Sequence, residues 1–217
     1  MARVSLIEEH EHPELAAEIG TIRGGRRGTL SMIYRLMLHS PAAAMAWYEQ
    51  NSALRWETKL DGFVRELVIL RVAVVTRCEY VRRVHAGVYA EEEGFSPEQI
   101  AAIGVPEARW SDVDDDIDRA RDGVAGVGAD AAGRGTLGIA ATSASRAFDA
   151  RSRAALAYID AMTRDVHVPD TVFAALRTHF DERQIVELTM LVGAYNMLTR
   201  VLQALDADFE PLPPKKG

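Results

Sequence analysis

One short segment of the chain contains residue types that can carry acid/base or thiol chemistry. Cys78 is the only cysteine among the 217 residues, and His85 follows it by seven positions. On a continuous helix, residues seven apart share a face and are separated by about 10 Å along the axis. Glu66 is the one acid in the apolar stretch that precedes them. We therefore take Cys78, His85 and Glu66 as the candidate catalytic residues.

The position of Cys78 suggests an activated thiol. Thr76 and Glu79 match a capping box, which predicts a helix that starts just after Thr76 and runs to about Glu93, with Gly94 as its C-terminal stop. Cys78 would then lie in the first turn, where free N–H groups and the helix dipole lower the pKa of a thiol. The alternative is that a lone cysteine in an apolar domain is a small buried hydrophobic residue.

Acid/base chemistry is the second possibility, because imidazole exchanges protons near neutral pH. Glu66 could lie beside Cys78 or His85, and a buried carboxylate needs a partner or a raised pKa, either of which would suit a proton relay. Alternatively, Glu66 could pair with Arg65, Arg71 or Arg82, and His85 could be an ordinary core or surface histidine. No second cysteine or histidine falls at metal-ligand spacing. We therefore predict no metal and no cofactor.

The elements that must position these residues are helical, because apolar residues recur at helical spacing through most of the chain. The segment at about 63–75 is apolar on all sides, which predicts a buried helix capped by Asp61, although its β-branched content leaves a strand possible. Further helices are predicted at about 13–19, 30–40, 41–54, 76–93, 153–163, 170–180 and 182–205, with a short one from Pro97.

The organisation is that of a single all-α domain spanning residues 1–217. Residues at about 111–150 are rich in Gly, Ala, Ser and Asp and poor in large apolar side chains, so we predict a flexible insertion there. A weak internal echo at an offset of 118 suggests a duplicated helical hairpin. It relates Arg65, Val68, Leu70, Arg82 and Ala86 to Arg183, Val186, Leu188, Arg200 and Ala204.

Composition narrows the range of partners. The formal net charge is −7 and there is no basic excess, so nucleic acid is not an expected partner. We interpret the basic segment 23–28 as a solvated loop. No apolar run is long enough to span a bilayer or to serve as a secretory signal at the N-terminus, so we expect no membrane partner and a cytoplasmic protein.

The motif around the candidate residues resembles a known family. Phe63–Ala73, followed by Thr76–Tyr80 and then His85, resembles the central motif of the carboxymuconolactone decarboxylase / alkylhydroperoxidase-D-like superfamily. The flanking segments 34–41, 180–188 and 194–197 resemble it as well. The resemblance implies an all-α helical bundle that assembles as a symmetric homo-oligomer and acts on a small-molecule substrate.

The resemblance leaves two chemistries open. Alkylhydroperoxidase-D-like members use a glutamate, a Cys-x-x-Cys pair and a histidine, which match Glu66, Cys78 and His85. Val81 occupies the place of the second cysteine, so a two-thiol cycle cannot occur within one chain. The decarboxylase branch acts on lactone acids without a redox thiol, and its histidine matches His85.

We therefore expect an acid/base enzyme that handles a small organic acid or lactone. Arg82 would bind the substrate carboxylate, and Tyr80 is a second candidate substrate-binding residue. The first alternative is a single-cysteine, peroxiredoxin-like thiol oxidoreductase. The second is a non-catalytic helical scaffold or small-molecule binder, because a fold does not by itself fix a function.

Overall fold

The computed structural model describes residues 2–110 and 144–207. Within these residues the chain is helical and contains no strand, so the predicted all-α class is confirmed. Short 3₁₀ segments lie at Glu9–Glu11 and Pro13–Leu15. The α-helices are α1 (Ala16–Gly25), α2 (Met32–Met37), α3 (Pro41–Trp56), α4 (Gly62–Val75), α5 (Glu79–Val84), α6 (Ala90–Glu92), α7 (Pro97–Ile103), α8 (Ala150–Arg164), α9 (Asp170–Arg177) and α10 (Glu182–Ala204), with a π-helical segment (His85–Tyr89) between α5 and α6.

Helix α4 forms the centre of the bundle. Asp61 caps it as predicted, since its carboxylate accepts a hydrogen bond of 2.9 Å from the backbone N–H of Val64. Ten of its 14 residues are buried, and it packs against both α8 and α10. A helix can bury every face only when neighbours surround it, which explains why its sequence is apolar all round despite its β-branched residues.

Arg71 is the one basic side chain that α4 buries completely. Its guanidinium makes two hydrogen bonds of 2.6 Å to the carboxylate of Asp160 on α8. It also donates to the carbonyls of Ile103, Val105 and Pro106 at 2.7–2.9 Å. All five of its N–H groups therefore have partners, and the charge ties α4 to α8 and to the end of α7.

The junction between α4 and α5 differs from the predicted capping box. Thr76 ends α4, and its hydroxyl donates to the carbonyl of Val72 at 2.7 Å. Arg77 then adopts a left-handed conformation with φ of 57°, and α5 begins only at Glu79. Cys78 is thus the N-cap residue, outside the first turn. The carboxylate of Glu79 pairs with Arg82 and so does not close a capping box.

Two other features along this part of the chain differ from the predictions. The helical run does end close to Glu93, with Gly94 in a left-handed conformation as expected, but its segment His85–Tyr89 is π-helical. The internal echo does not correspond to a repeated hairpin. Residues 182–204 form one continuous helix, whereas the matching residues 65–86 pass through α4, a turn, α5 and the start of the π segment.

The predicted insertion at 111–150 falls largely outside the described residues, which exclude 111–143. Its last residues belong to the core instead. Phe148 is buried and packs edge-on against Trp110 with ring centroids 5.8 Å apart. Asp149 caps α8 through the backbone N–H of Ser152, so this helix begins earlier than its apolar pattern predicts.

Helix α10 is long and apolar enough to cross a membrane by length and composition alone. Half of the relevant residues are buried, and the helix packs on α4, as is usual for the core helix of a globular fold. Its outer face nevertheless exposes three large apolar side chains at spacings of four and seven residues. This α10 stripe consists of Val186, Met190 and Met197.

Removal of the Arg71 side-chain charge should strongly destabilise the fold. Arg71→Met removes both hydrogen bonds of the guanidinium to Asp160, which keeps only Trp110 and the more exposed Arg164, and it leaves the carbonyls of Ile103 and Val105 without their side-chain donor. We therefore expect a loss of about 3–5 kcal/mol in the free energy of unfolding. Arg82→Met is the matched control, since its surface ion pair with Glu79 should contribute less than about 1 kcal/mol. Urea unfolding followed by circular dichroism measures both. Equal small losses would contradict the structural role given to Arg71.

The α10 stripe should mediate the homo-oligomer that the resemblance implies. Light scattering after gel filtration at micromolar concentration should give a mass above that of one chain, and Met190→Glu should lower it by placing a charge within an apolar contact. Val166→Glu, which alters an exposed apolar residue outside α10, is the control. A monomeric wild-type mass would contradict the prediction.

Candidate functional site

Glu66 and His85 form a buried pair. Glu66 lies on α4, His85 opens the π-helical segment, and both are less than 10% exposed. Nδ1 of His85 lies 2.6 Å from a carboxylate oxygen of Glu66. An ionised carboxylate can only accept, so Nδ1 carries the proton and donates it. The pairing predicted as a proton relay is therefore present, whereas Arg65, Arg71 and Arg82 each pair with a different carboxylate.

The π-helical turn contributes to the placement of His85. Turns of this kind widen the helix locally and are frequent at functional sites. Tyr89, at the other end of the same segment, lies against the imidazole with ring centroids 4.9 Å apart. Tyr195 from α10 meets the imidazole edge-on at 6.0 Å. Two aromatic rings and one carboxylate thus fix the orientation of His85.

A second cation, Arg55 of α3, shares the carboxylate of Glu66. Its guanidinium lies 3.8 Å from the other carboxylate oxygen and over the rings of Trp56 and Tyr89, at 5.0 and 5.1 Å. Burial disfavours the charged form of Arg55, but the neighbouring Tyr195 and Glu66 outweigh it and hold its pKa above the ordinary value. Arg55 is therefore a permanent positive charge next to the pair.

His85 and Arg55, the two partners of Glu66, line a cavity of about 430 Å³. This size lies within the range for small-molecule sites. No acidic side chain lines it among the residues that the structure describes, while aromatic and arginine side chains predominate. The lining includes Arg26, Arg27, Tyr34, Arg35, Trp47, Asn51, Arg55, Trp56, Tyr80, Val81, Val84, His85, Tyr89, Tyr195 and Leu198.

Two tyrosines in this lining remain neutral hydrogen-bonding groups at physiological pH. Burial raises the pKa of Tyr195 to about 12, although Arg55 nearby opposes the shift. Asn51 forms a hydrogen bond with the Tyr195 hydroxyl. Burial also raises the pKa of Tyr34, against the opposing effect of Arg26. Both hydroxyls therefore keep their protons.

The remaining candidates divide into two groups. Tyr80 lines the cavity as a substrate-binding residue should, and so does Val81. Arg82 lies outside this lining, because its half-exposed guanidinium is held by Glu79 one turn away. Cys78 lies outside it as well, buried behind the start of α5.

Cys78 does not have the lowered pKa that the capping box predicts. Burial raises the pKa of its thiol, and Glu79 adds to the effect, while hydrogen bonds from the backbone N–H groups of Val81 and Tyr80 oppose it. The reason is local geometry: the thiol belongs to an N-cap residue that is 1% exposed, so loss of solvation outweighs the helix terminus.

Two arginines of the cavity carry no sequence motif. Arg55 lies in an ordinary helix, and Arg26 belongs to the segment 23–28 that we interpreted as a solvated loop. That interpretation is wrong for Arg26, which donates to the hydroxyls of Tyr34 and Ser52 at 3.0 and 2.9 Å. The sequence feature that could have pointed to Arg26 is the clustering of arginine and glycine at residues 23–28.

The described residues contain no group of three or more His, Cys, Asp or Glu side chains that could hold a metal ion. Glu66, His85 and Arg55 can transfer protons and stabilise negative charge through their own side chains.

One protein family matches the part of the sequence that contains the candidate site. The sequence profile of the carboxymuconolactone decarboxylase family matches residues 41–126, which include Arg55, Glu66, Cys78 and His85. No curated protein matches the sequence significantly.

Three solved structures share the fold. A protein of unknown function from Agrobacterium tumefaciens, suggested to be an AhpD antioxidant defence protein, is 20% identical with a TM-score of 0.58, over 81% of this chain and 96% of that one. An uncharacterised peroxidase-related protein with an alkylhydroperoxidase AhpD core, from Ralstonia eutropha JMP134, is 15% identical with a TM-score of 0.65, over 96% and 92%. The debrominase Bmp8, in complex with 2,3,4-tribromopyrrole, is 15% identical with a TM-score of 0.64, over 95% and 91%.

At these identities the structural neighbours establish the fold and leave the reaction open. The family profile and the shared architecture together confirm the resemblance seen in the motif around Glu66 and His85. Residues 41–126 match the carboxymuconolactone decarboxylase family, and the chain shares the fold of the AhpD-like structures.

Proposed function

We propose that this protein is an enzyme that transfers protons at a small organic acid or lactone, in the manner of the decarboxylase branch. His85 is the general acid or base, and Glu66 is the residue that orients it. The observation that carries the proposal is the buried 2.6 Å hydrogen bond between them at the wall of a substrate-sized cavity.

The hydrogen bond determines which ring nitrogen reacts. Because Glu66 holds Nδ1–H, Nε2 keeps its lone pair and is the nitrogen available to the substrate. When Nε2 accepts a proton, the imidazolium is stabilised by the adjacent carboxylate, as in other histidine–carboxylate pairs. The proton can then return to another atom of the bound molecule, which completes an acid/base cycle without a redox group.

Arg55 supplies the electrostatic part of the mechanism. Proton abstraction beside a carbonyl leaves negative charge on oxygen, and a fixed cation near that oxygen lowers the barrier. Arg55 is such a cation, because it lines the same cavity and lies 3.8 Å from Glu66. As His85 becomes positive it takes a larger share of the Glu66 charge, which leaves Arg55 freer to stabilise the substrate oxyanion.

Substitution of His85 should separate this mechanism from thiol chemistry. We expect His85→Ala to reduce turnover at least about 100-fold, the contribution typical of a general acid or base, and Cys78→Ser to retain most of it. The assay is a panel of lactone acids and β-keto acids in D₂O, followed by NMR for loss of CO₂ and for exchange of carbon-bound hydrogen. Equal losses in the two variants would argue against the assignment, and the complete absence of turnover and exchange would favour a non-catalytic binder.

The competing function is a single-cysteine peroxidase in which Cys78 is oxidised to the sulfenic acid and an external thiol reduces it. The similarity to AhpD-like structures favours this alternative, while the environment of Cys78 opposes it. Peroxidatic thiols react as thiolates and need access to the oxidant. Cys78 is buried, lies outside the cavity lining and has a raised pKa.

The pH dependence of Cys78 reactivity tests the competing function. A raised pKa keeps the thiol protonated at neutral pH, so the rate of reaction with hydrogen peroxide should stay low at pH 7. It should increase only at more alkaline pH than for free cysteine. The urea-unfolded chain is the control, since exposure should restore ordinary reactivity. A native thiol that reacts faster than free cysteine at pH 7 would support the peroxidase.

A further inference from the structure

Arg26 differs from the other arginines of the cavity in the character of its partners. Its four hydrogen bonds go to neutral oxygens: the hydroxyls of Tyr34 and Ser52 and the carbonyls of Gly25 and Tyr48. Among residues 2–110 and 144–207, no carboxylate lies within ion-pair distance of it. One N–H of its Nη1 has no protein acceptor in that set, since Nη1 donates only to Gly25.

The other three arginines of the lining each have a carboxylate partner. Arg27 pairs with Glu92 at 3.1 Å, Arg55 lies 3.8 Å from Glu66, and Arg35 pairs with Glu8. The positive charge of Arg26 is therefore the one in the described lining without a negative counterpart. Arg26 is partly buried, so its unpaired charge has lost some of its hydration, and an anionic ligand would supply the missing negative charge.

Contacts with neighbouring side chains hold the Arg26 guanidinium in a defined position. Its guanidinium lies 4.5 Å from the ring centroid of Tyr48, and the T-shaped contact between Tyr34 and Tyr48 holds that ring. A Cβ on Gly25, the last residue of α1, would lie 2.1 Å from the Tyr48 hydroxyl, so any larger residue there would displace the Tyr48 side chain. Ser52 accepts from the remaining end of the guanidinium.

Tyr34 adds a second donor at the same place. Its hydroxyl oxygen accepts from Nε of Arg26, which leaves its own proton for another group. Burial raises the pKa of Tyr34, so this proton is retained across the physiological range. The Arg26 guanidinium and the Tyr34 hydroxyl are thus adjacent, each has a proton to donate, and both residues line the cavity.

We infer that Arg26 and Tyr34 form a carboxylate-binding subsite that selects planar organic anions as the substrates of this cavity. The flat body of such an anion fits the lining, where the rings of Trp47, Trp56 and Tyr80 offer stacking surface. The inference depends on the proposed function only in that it calls the bound anion a substrate. The anion subsite itself does not involve His85.

Comparison of benzoate with its neutral analogue benzamide tests the subsite. Binding can be followed by isothermal titration and by tryptophan fluorescence, because Trp47 and Trp56 line the cavity. A hydrogen-bonded charge should favour benzoate over benzamide by about tenfold or more. Arg26→Gln should reduce this ratio to about one, and Tyr34→Phe should reduce it by a few fold.

Three variants make the result specific. Arg26→Lys keeps the charge and should retain most of the preference for benzoate, which provides a readout even if Arg26→Gln fails to fold. Arg23→Gln removes an exposed arginine of the same segment that pairs with Glu9 outside this cavity, and it should behave as wild type. His85→Ala should also keep the preference.

The outcomes separate this inference from the proposed function. If wild type binds both probes equally, or if Arg26→Gln keeps the preference, the subsite is wrong whatever the reaction. If the preference is lost in Arg26→Gln and kept in His85→Ala, the subsite stands even when His85 proves unnecessary for turnover.

Discussion

A buried carboxylate needs compensation, and the way in which this fold compensates Glu66 determines the rest of the site. Transfer of an unpaired carboxylate into the interior of a protein is strongly unfavourable, so a buried carboxylate needs partners that compensate its charge. Glu66 is 3% exposed and has two partners, a hydrogen bond from His85 and the nearby charge of Arg55. The partners come from the π-helical segment and from α3, so one carboxylate joins three elements at the cavity wall.

The second buried charge of α4 is also compensated by partners on neighbouring elements. Arg71 lies five residues after Glu66, which turns it by about 140° to another face of the helix. There it pairs with Asp160 and donates to carbonyls at the end of α7 and just after it. An otherwise apolar helix thus directs Glu66 toward the cavity-lining His85 and Arg55, and Arg71 toward another packing surface. Helix α4 therefore contributes Glu66 to the candidate site and Arg71 to the stability of the bundle.

The sequence was sufficient to predict most of the helices and to give His85 as one of the candidate partners of Glu66, because a buried acid in an apolar helix needs a polar partner. It was not sufficient for Cys78. Whether Thr76 begins one helix or ends another depends on the left-handed conformation of Arg77, which a cap pattern does not reveal. Arg82 is of a suitable type to bind a substrate carboxylate and lies one turn after Cys78, but its guanidinium pairs with Glu79 instead.

Arg26 and Arg55 could not be predicted for a different reason. Their importance comes from long-range packing, which brings the loop after α1 and the end of α3 to the same cavity as His85. No local periodicity encodes such convergence. The π turn at His85 was not predicted either, because Gly87 in the segment from His85 to Tyr89 weakens a helix without specifying a π turn.

The central claim is that Glu66 fixes the tautomer of His85 and leaves Nε2 for the substrate. Long-range ¹H–¹⁵N correlation NMR on protein with ¹⁵N-labelled histidine measures this directly, and the His85→Ala spectrum identifies the signal among the six histidines. The account predicts a proton on Nδ1 and a bare Nε2 in the free protein at pH 8, with the Nδ1–H preference lost in Glu66→Gln. A proton on Nε2 with a bare Nδ1 in wild type would contradict it.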